Sequence, residues 1–157
     1  MKNLFYYETI VGTIGIAEEN GFLTDLFFGE ENAPENSVQK ESPLLKEAVR
    51  QLKEYFTGSR KNFDLPLAPQ GTDFQKRDWK ALQEIPYGAT VSYLDIAQKI
   101  GCPKGARAVG LANNRNPISI IIPCHRVIGK NGKLVGYGGG VDKKIKLLEL
   151  EGAAFKK

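Results

Sequence analysis

The sequence is poor in the side chains that metal and disulfide chemistry need. Its 157 residues include one histidine, two cysteines, one methionine and one tryptophan. A closed structural zinc site takes four Cys or His ligands, more than the chain possesses, so neither a metal nor any other cofactor is expected. Two cysteines do not make the disulfide framework of a small secreted domain. A reducing cytoplasm is therefore the expected compartment, and it would keep a reactive thiol available. No apolar run approaches the ~20 residues that span a bilayer, and no apolar segment follows a basic start as in a signal peptide. A membrane is not an expected partner. Internal repeats and low-complexity tracts are missing too.

The chain does carry 41% apolar residues, enough to bury a core in one compact domain or two small ones. The net charge of +4 hides a division. Residues 1–72 hold 7 Lys/Arg against 11 Asp/Glu, whereas residues 73–157 hold 15 against 7. The sign changes at Pro66–Gly71, the best linker in the chain, which predicts domains at 1–68 and 73–157. Scattered lysines can be no more than a solvated face. A basic half that also carries a helix-turn-helix pattern points to phosphate contact.

The N-terminal half reads as antiparallel β-structure over Phe5–Glu8, Val11–Ala17 and Phe22–Phe28, with Glu19-Asn20-Gly21 as a hairpin turn. Residues 29–41 are polar and read as a loop. Ser42-Pro43 then starts a helix, serine at the N-cap and proline at the first helical position. Leu44, Leu45, Ala48, Val49, Leu52, Tyr55 and Phe56 form its apolar face, and Phe63 and Leu65 suggest one more short strand. In the second half Thr72-x-x-Gln75 is a capping-box pattern ahead of a helix through Trp79 and Leu82. Ser92-x-x-Asp95 opens another helix, Gly101-Cys102-Pro103 makes a turn, and a further helix runs from Lys104 to Asn114. This pair fits a helix-turn-helix. Its second helix is slim, with Gly105, Ala106, Ala108, Gly110 and Ala112, and Arg107 is its single large projection. Small residues serve close packing against a neighbouring helix or close approach of the backbone to DNA.

The most informative stretch is Pro123-Cys124-His125-Arg126, which follows Ile120-Ile121-Ile122 and sets a cysteine beside the only histidine. The β-branched run predicts a short buried strand. Pro123 cannot donate a ladder hydrogen bond, so the chain is expected to leave the core there and present Cys124 at a supported edge. The nucleophile is the thiolate, and a free thiol has a pKa of about 8.5 that a nearby cation or base must lower. The competing reading is an inert packed thiol, since cysteine is among the most buried residue types.

Asn116-Pro117 upstream, Arg126-Val127-Ile128-Gly129 downstream, Tyr137, Gly138-Gly139-Gly140 and the terminal Leu147-Leu148-Glu149-Leu150-Glu151-Gly152 complete a pattern. With Val91-Ser92-Tyr93 and Ala106-Arg107-Ala108-Val109-Gly110, it resembles the O6-alkylguanine-DNA alkyltransferases from about Phe74 to Gly152. The resemblance implies an α/β fold: a small N-terminal antiparallel sheet with a helix, ribonuclease-H-like in shape, then a mainly helical domain containing the helix-turn-helix. It implies irreversible, single-turnover transfer of the alkyl group from O6-alkylguanine, and from O4-alkylthymine as a further candidate, to Cys124. The partner would be double-stranded DNA, met through the minor groove by a monomer.

On that resemblance His125 is the candidate base, reached through a bridging water, and Glu151 orients its imidazole in the manner of a nucleophile–base–orienter triad. Glu149 is the rival orienter, but one residue along a helix turns a side chain by about 100°, so both cannot serve. Asn116 holds the turn that carries Cys124 through side-chain-to-backbone bonds. Tyr93 would donate to the departing guanine, and Val127, Tyr137 and Gly138 would wall the alkyl pocket. Arg107 would fill the place of a flipped nucleotide, with Lys104, Ala106, Tyr93 and Lys130 as further DNA contacts. Ser119 and Gly138 depart from residues that some relatives carry, proline and serine, which bears on how bulky an adduct is tolerated. A non-catalytic lesion-binding protein is the alternative function, and retention of Cys124 argues against it. A helix-turn-helix transcription factor with Cys124 as sensor is a third, and no regulatory domain or dimerisation segment supports it.

Overall fold

The computed structural model describes residues 1–137 and 139–156; the expected pocket residue Gly138 lies outside them. The described chain falls into two compact units, Met1–Gln70 with Pro117–Ser119, and Gly71–Asn116 with Ile120–Lys157. No helix among the described residues is long and apolar enough to cross a membrane.

In the first unit three strands follow one another in antiparallel pairing: β1 (Lys2–Thr9), β2 (Gly12–Glu19) and β3 (Phe22–Phe28). Asn20 and Gly21 take φ of 56° and 82°, the paired left-handed conformation of the tight hairpin turn that their sequence predicts. The polar stretch expected to be a loop contributes a fourth strand, β4 (Ser37–Gln39), parallel to β1, so the sheet order is β3-β2-β1-β4. Three residues with two exposed side chains give no period to read. Pairing with β1 makes this strand. The strand expected near Phe63 and Leu65 is not formed. Instead Pro66 to Ala68 bonds to Leu23, and Pro117 to Ser119 bonds to Leu26, so both segments cover the free edge of β3. Helix α1 (Pro43–Phe56) lays Leu45, Ala48, Leu52 and Tyr55 on the sheet, over a core that includes Leu4, Ile14, Ile16, Leu23 and Leu26.

In the second unit both capping boxes close. Thr72 accepts from the Gln75 amide at 3.1 Å and opens α2 (Asp73–Leu82). Ser92 accepts from the Asp95 amide at 3.0 Å and opens α3 (Tyr93–Lys99). Gly101 at φ 80° turns the chain, and the Gly105 amide donates to the Cys102 carbonyl at 2.7 Å. That closed turn holds Lys104 out of the helix, so α4 spans Ala106–Asn114. The Trp79 indole donates to the Ala112 carbonyl at 2.9 Å and ties α2 to α4. Two short parallel strands, β5 (Val91–Ser92) and β6 (Val127–Ile128), set the segment after Cys124 beside the start of α3. Helix α5 (Val141–Glu151) ends where Gly152 turns left-handed at φ 69°.

The run Ile120–Ile122 is a turn, not the expected strand, and Ile120 sits at φ 71°. A β-branched residue there carries strain of order 1–3 kcal/mol, held by burial, since Ile120 is 1% exposed. Nor does the chain leave the core at Pro123: every residue from Ile120 to Ile128 is buried. The Ile122 carbonyl takes a turn bond from the Cys124 amide and a side-chain bond from Asn116 where a ladder was expected.

The N-cap of α1 offers a direct check of this reading. Ser42 accepts from the Leu45 amide at 3.3 Å in a buried setting. Ser42→Ala should lower stability by about 1 kcal/mol, measured as the shift in urea midpoint at unchanged m-value.

Candidate active site

Cys124 opens a single 3-10 turn, Cys124–Arg126, between the Ile120–Ile122 turn and β6. Its amide bonds back to the Ile122 carbonyl at 2.8 Å. The Asn116 amide nitrogen reaches both that carbonyl, at 2.8 Å, and the Cys124 Sγ, at 3.3 Å. Asn116 thus pins the turn as its sequence position suggests and also donates to the sulfur. The thiol is only 6% exposed. Burial pushes it up to about 11, while the Asn116 bond and the nearby Lys144 charge favour the thiolate and Asp78 opposes it. At rest it is protonated and requires a base.

His125 is fully buried, with Nε2 2.7 Å from the Glu151 Oε2. The carboxylate fixes the tautomer by accepting a hydrogen bond from Nε2–H, so Nδ1 carries the lone pair. Nδ1 is buried and has no hydrogen-bond partner among the described residues. Burial lowers the His125 pKa, against the raising effect of Glu151, so the ring is neutral and able to accept a proton. Glu151 is the buried carboxylate and Glu149 is exposed, which separates the two rivals.

Sequence reasoning missed three buried polar side chains here. Arg126 donates from Nε to Glu151 Oε1 at 2.8 Å, from Nη2 to Oε2 at 3.1 Å and from Nη1 to the Ile85 carbonyl at 2.7 Å. Lys144 is 1% exposed, donates to the Val135 carbonyl at 3.1 Å, and is brought down to about 8 by burial. Asp78 is wholly buried in α2. A signal existed for Lys144: with Leu147, Leu148 and Glu151 it shares one helical face, where a lysine is out of place unless it serves something.

A groove of about 390 Å³ is lined by Tyr93, Ala106, Arg107, Gly110, Leu111, Asn114, Val135 and Gly136. The structure therefore brings Tyr93, Ala106 and Arg107 together. Among the described residues the lining does not include Cys124, Val127 or Tyr137. Val127 is buried on β6, Tyr137 is half-buried, and Lys104 and Lys130 are exposed in turns and are not part of the lining. Arg107 is not the single large projection of α4, because Leu111 is 65% exposed. A Cβ at Gly110 would sit in ordinary contact with the Tyr93 ring at 3.7 Å, so packing within the described residues does not itself require glycine there. Burial raises the Tyr93 hydroxyl pKa, as does the nearby Cys124 charge, so the phenol stays a donor. No cluster of three or more His, Cys, Asp or Glu among the described residues could hold a metal ion.

A buried cysteine held by an amide, a neutral histidine oriented by a carboxylate, and a helix-turn-helix with an open groove define a cysteine-nucleophile protein on a DNA-binding type of scaffold. The chain belongs to the 6-O-methylguanine DNA methyltransferase family: residues 73–153 match its DNA binding domain and residues 5–69 its ribonuclease-like domain. It is 53% identical over 151 residues to the methylated-DNA–protein-cysteine methyltransferase of Methanosarcina acetivorans, covering 94% of this chain and 96% of that one. The constitutive methylated-DNA–protein-cysteine methyltransferase of Bacillus subtilis is 49% identical over 156 residues, covering 95% and 94%. The structure of Mycobacterium tuberculosis OGT in complex with DNA superposes with a TM-score of 0.91 at 48% identity, covering 96% of this chain and 92% of that one.

The Arg126–Glu151 pair gives a stability test. Arg126→Ala would take from the buried Glu151 carboxylate the guanidinium that carries its opposite charge. Loss of about 3–5 kcal/mol is expected, read from denaturant unfolding.

Proposed function

We propose that the protein repairs DNA directly, by irreversible transfer of the alkyl group of O6-alkylguanine in duplex DNA to Cys124, once per molecule. The observation that carries this reading is the buried His125–Glu151 pair at 2.7 Å, whose histidine shares one 3-10 turn with the thiol while the carboxylate comes from the end of α5. His125 Nδ1 takes the Sγ proton through a bridging water, and Glu151 stabilises the imidazolium that forms. The sulfur then forms a bond to the alkyl carbon as the carbon–O6 bond breaks. The electron pair goes to the base, which leaves as guanine after gaining a proton. Tyr93 donates to the departing base and offsets its charge, while Asn116 holds the sulfur in line. Val127, Tyr137 and Gly138 bound the alkyl group. O4-alkylthymine, with the same alkyl–oxygen bond on a base edge, is the secondary substrate.

Reaching the lesion means turning the nucleotide out of the stack, at a cost of a few kcal/mol. Slim α4 enters the minor groove as part of a monomer, Arg107 takes the vacated place, and Ala106, Lys104 and Lys130 contact the backbone. The excess of 15 Lys/Arg over 7 Asp/Glu in residues 73–157 supports this electrostatically. Residues 73–157 form the DNA-binding and transfer domain, and residues 1–68 an α/β domain with no part in the chemistry. A reducing compartment such as the cytoplasm suits a thiol that must stay free.

Two measurements test the reading. Intact-protein mass spectrometry after mixing with O6-methylguanine duplex should find one methyl group per molecule, mapped to Cys124 and not Cys102, and no second turnover. Sustained turnover, or no mass change, would overturn it. Arg107→Ala should slow repair of duplex DNA by at least about tenfold, the loss of about 1.4 kcal/mol, yet spare reaction with free O6-benzylguanine. Equal losses on both would assign Arg107 a structural role.

A further inference from the structure

We propose that Asp78, a carboxyl buried in α2 and held by Asn113, is a positioning residue that governs how readily the Cys124 thiol ionises. The inference rests on the reading of Cys124 as the alkyl acceptor and adds a control to it.

Asp78 is 0% exposed and Asn113 is 7% exposed. With the Asn113 amide turned to satisfy both groups, its nitrogen lies 2.6 Å and 3.3 Å from the two Asp78 oxygens and 3.2 Å from the Val109 carbonyl. No cation pairs with Asp78 among the described residues. A carboxyl this deeply buried in a helix face, with no counter-charge beside it, is expensive to retain for packing alone. Its place explains it. Asn113 ends the buried face of α4, and the Asn113 carbonyl accepts from the Asn116 amide at 3.1 Å. Asn116 in turn donates to the Cys124 sulfur at 3.3 Å. A continuous line of contacts therefore runs from Asp78 through Asn113 and Asn116 to the sulfur, and α2 also packs on the 3-10 turn that begins with Cys124.

The charge of Asp78 acts on the same atom. Burial raises its carboxyl to about 7, so it is neutral below that pH and ionised above it, and when ionised it opposes the Cys124 thiolate. From α4 it faces Asn113. Of the ionisable side chains of α3, Asp95 turns to its cap and Lys99 to Glu84 at 2.6 Å. The other ionisable groups bearing on the thiol are Lys144 from α5, which favours the thiolate, and Tyr93 from α3. Asp78 thus restrains the nucleophile at alkaline pH and releases it as the carboxyl takes up a proton.

The test is the rate of Cys124 carboxamidomethylation by iodoacetamide, read by peptide mass spectrometry from about pH 6 to about pH 9, with the half-buried Cys102 as internal control. Asp78→Asn keeps an oxygen for Asn113 and removes the charge. It should match wild type near the acid end and react about threefold faster at the alkaline end, the effect of half a pKa unit. Asp78→Leu strips Asn113 of its acceptor and should react more slowly than Asp78→Asn throughout. Superimposable Cys124 profiles for wild type and Asp78→Asn would overturn the proposal, as would an equal change at Cys102. If Asp78→Leu does not fold, Asp78→Asn decides alone. The assay contains no DNA, so failure of alkyl transfer from O6-methylguanine duplex would count against the proposed function and leave this result standing.

Discussion

Everything around the nucleophile depends on one buried carboxylate with too many suitors. Glu151 accepts from Arg126 along both of its oxygens and from the His125 ring at the same time. Arg126 neutralises it, which is why a carboxylate can stay ionised at 6% exposure. Because Arg126 and His125 are neighbours in one 3-10 turn, their shared hold on the last residue of α5 fixes that turn's orientation, and with it Cys124. Gly152 ends the helix in a left-handed cap directly after the carboxylate, so Glu151 cannot slide along the helix axis without breaking that cap. Arg126 also bonds the Ile85 carbonyl after α2, and the Tyr87 ring stacks beneath its guanidinium at 5.8 Å.

The elements that local chemistry specifies were legible in the sequence. The three helix starts at Ser42, Thr72 and Ser92 depend on a side chain bonding an amide three residues on, and the Asn20-Gly21 hairpin needs only its own two residues. The family, the α/β class and the transfer chemistry followed from a motif order that spans most of the second half. What stayed hidden depends on distant partners. β4 exists because β1 is beside it, and the covered edge of β3 involves Pro66–Ala68 and Pro117–Ser119, far apart in the chain. The Ile120–Ile122 run has strand composition, yet Asn116 captures the Ile122 carbonyl and bends it into a turn. Here a side chain outcompetes the ladder that propensity favours.

The polar core was the least legible part of the site. Arg126, Lys144 and Asp78 each look like surface residues by type, and each is buried. Periodicity assigns a position to a face, but it does not say that a charged side chain will be kept on the inner one. The reason emerges only with the site assembled: Arg126 neutralises Glu151, Lys144 sets a positive charge toward the sulfur, and Asp78 sets a negative one against it. Such groups weaken a fold that apolar residues could fill more cheaply, which is the usual mark of a functional region.

Burial of the nucleophile makes sense for a protein used once. A thiol exposed on the surface with a low pKa would be oxidised or alkylated by any small electrophile. Withheld at 6% exposure and raised to about 11, Cys124 should meet small electrophiles in solution only slowly. Only an electrophile that reaches the sulfur while His125 can accept its proton should meet a thiolate. Such an arrangement suits a reaction with no need to release its product, since the thioether can remain where it forms. The strained φ of Ile120 and the tight 3-10 turn hold the sulfur in one place, and that precision costs a single-use reagent nothing in turnover. A catalyst that had to cycle would need the mobility this site does without.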